Sequence, residues 1–235
     1  MYQLYHTLLF QPLLNLLIWL YNLIGDIGVA IILVTVLIRL ILLIPSQKAL
    51  KAQKTMQELQ PKLDEIRKKY KDDKKKQSEE MMKFYQEKKI NPLGSCLPML
   101  IQLPILFALY SVFRKGLQAD SMQFLYSFVE RPEHINTMFL GFLDMLKPNA
   151  ILAVVAGMLQ FFQSKMMMKK QKSTALGSMP GLGNIGGMMS KQMTYLMPAM
   201  TVFIALSLPS GLALYWATTT AVAILQQWVI MRNHK

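Results

Sequence analysis

Arg39 and Thr35 are the residues of this chain whose types and spacing best equip it to act on another molecule. Both lie inside the apolar run from Ile27 to Ile44, four residues apart, which places them on one face of a helix. A guanidinium at membrane depth costs about 3 kcal/mol even on lenient insertion scales, so it requires water, a counter-charge or access to the headgroups. The plain alternative is snorkelling: Arg39 stands about 7.5 Å from a helix end expected at Pro45. The chemistry on offer is not bond-making. It is electrostatic capture of an acidic or polar segment inside low-dielectric walls.

Other polar residues punctuate the apolar segments. Gln102 falls in the second, Gln160 and Gln163 in the third, and Thr194, Thr201 and Ser207 in the fourth. Thr218–Thr220, Gln226 and Gln227 fall in the fifth, with Tyr215 and Trp216 near its outer end. Uncharged groups of this kind more often join helices than line a path. Arg39 tilts the reading, because the expected spans contain no acid or histidine to pair with it. Water is the remaining partner, so the expectation is a hydrated groove lined by Arg39, Thr35, Gln102, Gln160, Gln163, Ser207, Tyr215 and Trp216. Met166–Met168 and Met188–Met189 are either pliable substrate contacts or lipid-facing packing.

Composition excludes whole classes of function. Of 235 residues 53% are hydrophobic and the formal net charge is +13, the profile of a polytopic membrane protein with basic water-facing segments. A single cysteine, Cys96, rules out an internal disulfide. His6, His134 and His234 lack metal-site spacing, so neither cofactor nor metal is expected. No phosphate-cradling G-x-x-x-x-G-K-[ST] loop, HExxH or G-x-S-x-G occurs. The chain is therefore not expected to be an enzyme. Met1–Gly25 carries no Lys or Arg, so it lacks the n-region of a signal peptide and reads as mature sequence.

The elements that must position these residues follow from hydropathy and charge. Spans are expected at 27–44, 97–113, 149–167, 193–208 and 211–231, several of them short enough to imply local bilayer thinning. Residues 45–96 hold fourteen basic and eight acidic residues, and 165–192 five basic and no acidic ones. With the mixed-charge segment 114–148 read as an outer loop, the basic segments alternate correctly for an outside N-terminus and a cytoplasmic tail at 232–235. Residues 1–26 are expected as an amphipathic helix on the outer surface, a sixth span being the alternative. Residues 168–192, rich in Gly, Met and Lys, read as a flexible cytoplasmic loop.

Residues 45–96 read as a cytoplasmic helical hairpin rather than a solvated linker. Leu59, Leu63, Ile66 and Tyr70 form one apolar stripe, and Met81, Phe84 and Tyr85 a second beyond Lys71-Asp72-Asp73. Glu58/Lys62, Asp64/Lys68, Glu65/Lys69 and Glu79/Lys83 are acid-before-base pairs at i,i+4. Pro61 is expected to kink or restart the first arm.

Several motifs in order then resemble the YidC/Oxa/Alb family of membrane protein insertases. They are Thr35-Val-Leu-Ile-Arg39 followed by Pro45, Met56-Gln-Glu-Leu-Gln-Pro61, Lys69-Tyr70, Ile90-Asn-Pro-Leu-Gly-Ser-Cys-Leu-Pro98 through Pro104 to Tyr110, Tyr195-Leu-Met-Pro198, and Leu208-Pro-Ser-Gly-Leu-Ala-Leu-Tyr-Trp216. The resemblance covers nearly the whole chain. It implies an all-α polytopic membrane protein with a five-transmembrane-helix core, a cytoplasmic helical hairpin and a hydrophilic groove closed outside. The family's single essential-type arginine corresponds to Arg39, its companion threonine to Thr35, and its substrate-contacting aromatic to Tyr215 or Trp216. A large periplasmic domain and a lipobox cysteine, found in some members, are not expected, nor is ribosome binding through the tail.

The implied function is insertion of nascent transmembrane segments from the cytoplasm into the cell membrane, without nucleotide hydrolysis. Expected partners are nascent membrane proteins and lipids, with the ribosome and a Sec-type translocon as further candidates and no sequence-specific nucleic acid. The rival classes are a lipid scramblase and a small-solute transporter. The latter would need a through-path and usually repeats, and the sequence shows no matching halves.

Overall fold

A computed structural model of the chain describes residues 2–88, 97–168 and 185–232. Stretches 89–96 and 169–184, expected as the hairpin's end and part of the cytoplasmic loop, lie outside the described residues. The helices are α1 (Tyr2–Tyr5), α2 (Gln11–Ile24), α3 (Ile27–Ile41), α4 (Leu43–Lys69), α5 (Lys74–Glu87), α6 (Leu97–Ser111), α7 (Ala150–Met168), α8 (Ile185–Ala205) and α9 (Ser210–Arg232). A π-helical segment, His6–Phe10, joins α1 to α2. The sheet is a two-stranded antiparallel ribbon, β1 (Met138–Phe139) with β2 (Leu143–Asp144). The mostly helical architecture matches the expected fold class.

Several limits differ from those expected. The first span stops at Ile41 rather than Ile44, and a new helix starts at Leu43. Pro45 has no N–H for the carbonyl of Ile41, which interrupts the ladder there, while proline is well tolerated in the first turn of α4. Conversely, α4 runs through Pro61 without restarting. Pro61 is exposed, so water can satisfy the carbonyl that its missing donor frees. The loop expected to last until 192 is helical from Ile185, because Met188 to Gln192 are good helix formers that outweigh Gly186 and Gly187. At its other end α8 stops at Ala205, three residues early, ahead of Pro209.

The chain divides into two compact units. The first takes residues 1–43, 99–160 and 198–235. Its core runs through Leu14, Leu17, Ile18, Ile27, Ala30, Ala108, Val112, Ala153 and Tyr215, all fully or almost fully buried. Helix α3 packs against both α2 and α9, while Leu33, Leu37, Leu40 and Ile41 on its opposite side are exposed. Large apolar side chains left bare at helical spacing mark a face for lipid. Among the described residues, Gln3–Ile24 is the one unbroken helix long and apolar enough to cross a membrane, and Ile27–Ile41 with Leu43–Met56 passes as a broken pair. Ala150–Met166 and Tyr195–Ala205 are shorter apolar helices.

Small residues set the α7–α8 contact. Ala153, Ala156 and Gly157 are buried on one side of α7, and a Cβ added at Gly157 would overlap a methyl of Val202 and crowd the carbonyl of Pro198. Without a hydrophobic driving force in lipid, such close approach is what holds helices together. Gly157→Leu is expected to cost about 2 kcal/mol by overpacking, with Gly157→Ala milder. A lowered melting temperature of the detergent-solubilised protein, graded Gly, Ala, Leu, checks it.

The segment expected as a plain outer loop is an ordered cap. A π-helical turn (Val112–Gly116) and a 3-10 turn (Ala119–Phe124) lead into irregular backbone and then the β-ribbon. Polar residues of α2 secure that backbone: Asn15 donates to Phe124 O at 3.0 Å and accepts from Tyr126 N–H at 2.6 Å, and Asn22 donates to Glu130 O at 2.8 Å. The Tyr21 hydroxyl accepts from Asn136 N–H at 2.7 Å. Asp26 joins ribbon to helix, its Oδ1 capping Gly28 and Val29 N–H at the start of α3 and its Oδ2 accepting from Leu140 N–H at 2.8 Å. Gly28 is buried so tightly that a Cβ would overlap the Phe139 ring. The start of α9 is tied down similarly, with Ser210 bonded to Lys147 O and Gly211 N–H to Met145 O.

In the second unit (44–98 and 161–197), α4 and α5 form a helix–turn–helix packed through Met56, Leu63, Met81 and Tyr85, with Ile66 and Phe84 against them. The expected stripes are present, but the first is rooted in Met56 rather than Leu59, two turns before Leu63. Asp73 caps α5 by accepting from Lys76 N–H at 2.9 Å. Ion pairs among the described residues of this unit include Lys54–Glu58, Asp64–Arg67 and Glu80–Lys83. Two are i,i+3 neighbours, which helix geometry permits equally. Pairs this exposed add a few tenths of a kcal/mol at most.

Candidate functional site: a polar cluster around Arg39

Helices α3 and α9 run parallel: both start at the cap, and further along Gln226 Nε2 approaches Leu43 O at 3.4 Å. Arg39 lies in the last turn of α3, and the Tyr215 phenol, five residues into α9, is near enough to feel its charge. Arg39 itself is half-buried, and among the described residues no carboxylate pairs with it.

Tyr215 is buried, and its hydroxyl accepts a hydrogen bond from Gln102 Nε2 of α6 at 2.5 Å. Three helices, α3, α6 and α9, thus bring Arg39, Gln102 and Tyr215 to one place. Thr35 is buried on the same stripe of α3 as Arg39, its hydroxyl donating to Ile31 O at 2.6 Å. The hydrogen is committed to the helix, which leaves the oxygen lone pairs as the polar surface.

The remaining expected residues divide. Ser207 does not join the cluster: α8 ends at Ala205, so Ser207 is exposed in the turn before α9, its N–H on Ile204 O, three residues from the Ser210 that bonds the cap. Trp216 is half-buried, one residue on from Tyr215 and so about 100° round the helix. Gln160 is half-buried near the end of the first unit's part of α7, and Gln163 belongs to the second unit. Neither is brought to Arg39 by a recorded contact. Gln227 is a buried polar residue that the expected groove set omitted. Its Oε1 has no hydrogen-bond partner among the described residues, and a buried acceptor in that state calls for water. Its signal in the sequence was a lone polar side chain beside Gln226 in an apolar helix.

The family described as 60Kd inner membrane protein matches residues 19–235, more than nine-tenths of the chain. The chain belongs to that family. Curated relatives carry the name membrane protein insertase YidC. One from Fusobacterium nucleatum is 37% identical over 210 residues, 89% of this chain and 88% of its own length. One from Haemophilus ducreyi is 35% identical over 95% of this chain but only 37% of its own length, and one from Nitratidesulfovibrio vulgaris (strain DP4) is 34% identical over 95% and 38% respectively. The chain therefore spans most of the first relative and well under half of the other two. As a member of the YidC insertase family it is a bacterial membrane protein that serves insertion.

Proposed function

We propose that the Arg39–Tyr215–Gln102 cluster lines a hydrated groove in which a nascent transmembrane segment lodges its polar flank before sliding into lipid. The observation that carries this is a half-buried arginine in an apolar helix with no carboxylate paired to it among the described residues. Such a charge is tolerable where water reaches it. The unpartnered Oε1 of Gln227, about three turns further along α9, supports a polar interior in that helix. Acidic residues of a translocating tail are drawn to Arg39, and Tyr215, buried and held by Gln102, braces the helix layer behind it. Trp216, Thr35 and Gln160 flank the path. The segment's release is driven by apolar partitioning, several tenths of a kcal/mol per Leu or Ile over ~20 residues, so no nucleotide is consumed.

The topology that fits is an outside N-terminus, five spans and a cytoplasmic tail, with the α4–α5 hairpin on the cytoplasmic side receiving substrate. Although Gln3–Ile24 is long enough to cross, α2 is hydrogen-bonded from Asn15 to Asn22 to irregular backbone that carries Glu130, Arg131 and Glu133. Irregular backbone and charges do not face hydrocarbon, which supports a surface-lying helix over a sixth span. The basic hairpin suits anionic lipid or the ribosome, and a Sec-type translocon is a further candidate partner.

Photo-crosslinkers at Thr35 and Trp216, presented to a stalled nascent chain, test the groove. Adducts from both positions, absent from a control at Leu37 on the exposed face of α3, are expected. Crosslinking no stronger than at Leu37 overturns the groove. Lipid flip-flop seen by dithionite bleaching, or solute flux in liposomes without any insertion, would replace it with a scramblase or a transporter.

A further inference from the structure

The β-ribbon carries a feature that groove and hairpin leave unused. Its turn, Leu140-Gly141-Phe142, presents two large apolar side chains outward, with Leu140 60% and Phe142 67% exposed. Leu140 adopts φ +52°, a left-handed conformation that bulky residues rarely take. A turn built for solubility would place Asn or Gly there. Leu23 and Ile24, at the end of α2, are exposed too, and they lie within three residues of Asp26, whose Oδ2 accepts the Leu140 N–H.

The height of this turn is set rigidly. Asp26 is at once the N-cap of α3 and the acceptor for Leu140, and Gly28 permits Phe139 to lie directly on the first turn of α3. The turn therefore sits level with the point where the apolar helix begins. At the far end of the ribbon Asp144 secures the next corner. Its partial burial pushes its carboxyl up, but the Leu146 N–H, the Lys147 ammonium and the Thr137 hydroxyl outweigh this and hold it below the ordinary carboxylate value. Since the folded value is the lower one, that contribution is complete above the unfolded carboxylate's titration range. It is lost only as pH falls through the folded value.

We propose that Leu140 and Phe142, together with Leu23 and Ile24, insert into the outer leaflet of the bilayer and anchor the cap at the headgroup–acyl boundary. The occupant is lipid because the patch stands beside the start of α3, an apolar helix whose Leu33 and Leu37 are themselves bare. Aromatic and aliphatic side chains beside a span's end favour this zone. The inference rests on the reading that Ile27–Ile41 lies in the membrane.

The test uses the full chain with Cys96→Ser, reconstituted in phosphatidylcholine–phosphatidylglycerol vesicles. A polarity-sensitive fluorophore is attached through Phe142→Cys or, separately, Leu37→Cys. The label at 142 is expected to be quenched several-fold more by lipid spin-labelled near the headgroup than by lipid labelled deep in the chain, and to be shielded from aqueous iodide. The label at 37 should respond to lipid quenchers as well. Iodide access at 142 with lipid quenching at 37 overturns the anchor and leaves the spanning helix intact. Loss of lipid quenching at both overturns the anchor and the spanning reading together. Shielding at 142 that appears only when another membrane protein is co-reconstituted also overturns it, in favour of a protein partner.

Discussion

Arg39→Ala lowers insertion of a substrate with an acidic N-terminal tail by about tenfold, while Arg39→Lys retains most of the activity. Two unit charges about 5 Å apart at an effective dielectric near 20 attract by roughly 3 kcal/mol. Water and ions in an open groove remove part of that, and about 1.4 kcal/mol remaining is one decade. A neutral-tailed substrate should lose little, which separates capture of charge from general damage to the fold. Lysine keeps the charge but not the planar fork, so a fully active lysine variant would locate the effect in electrostatics alone. The measurement is protease protection of single- and double-span substrates in proteoliposomes. Equal insertion of acidic and neutral tails by wild type and Arg39→Ala sinks this account.

Leu63→Asp is expected to unfold the α4–α5 hairpin and abolish substrate capture while the first unit stays intact. Leu63 is fully buried in a small cluster with Met56, Met81 and Tyr85 among the described residues, so its loss weighs heavily. Replacing it removes about 3 kcal/mol of packing and adds an unpaired carboxylate that cannot stay buried. Limited proteolysis should cut between Lys54 and Lys88 in the variant, and nascent-chain crosslinking should vanish. Circular dichroism would lose only the helix contributed by that segment. Collapse of the whole protein instead would make the hairpin a structural support, and retained capture would remove it from the substrate path. Leu63→Ala, milder, should give a partial loss in both readouts.

Sequence periodicity revealed the elements whose stability is local. The packing of α4 on α5 was legible in part: Leu63, Ile66, Met81, Phe84 and Tyr85 recur at helical spacing on a charged background and enter the packed cluster, whereas Leu59 and Tyr70 do not and Met56 does. The i,i+3 pairs Asp64–Arg67 and Glu80–Lys83 were not legible, since i,i+3 and i,i+4 partners compete at nearly equal energy and rotamers decide between them. The cap was legible only as a mixed-charge loop. Its order comes from Asn15, Asn22, Tyr21 and Asp26, each more than one hundred positions from its partner in the sequence. Ser207 was misplaced for a related reason: hydropathy extends a span to 208, while Pro209 already turns the backbone out of the helix.

The amino-acid order by itself determined that this is a helical membrane protein with a lone arginine in its first apolar core helix, because transfer energies and turn-forming residues act over a few neighbours. It also carried the family, through motifs that need no geometry to be recognised. Which side chain meets that arginine was decided only when α3, α6 and α9 packed together. That convergence set Tyr215 and its partner Gln102 on the α3 side of α9 and left Trp216 half-buried round the helix, while Ser207 stands exposed in the turn after α8. Contacts between residues so distant along the chain depend on helix phase and tilt, which no local pattern encodes.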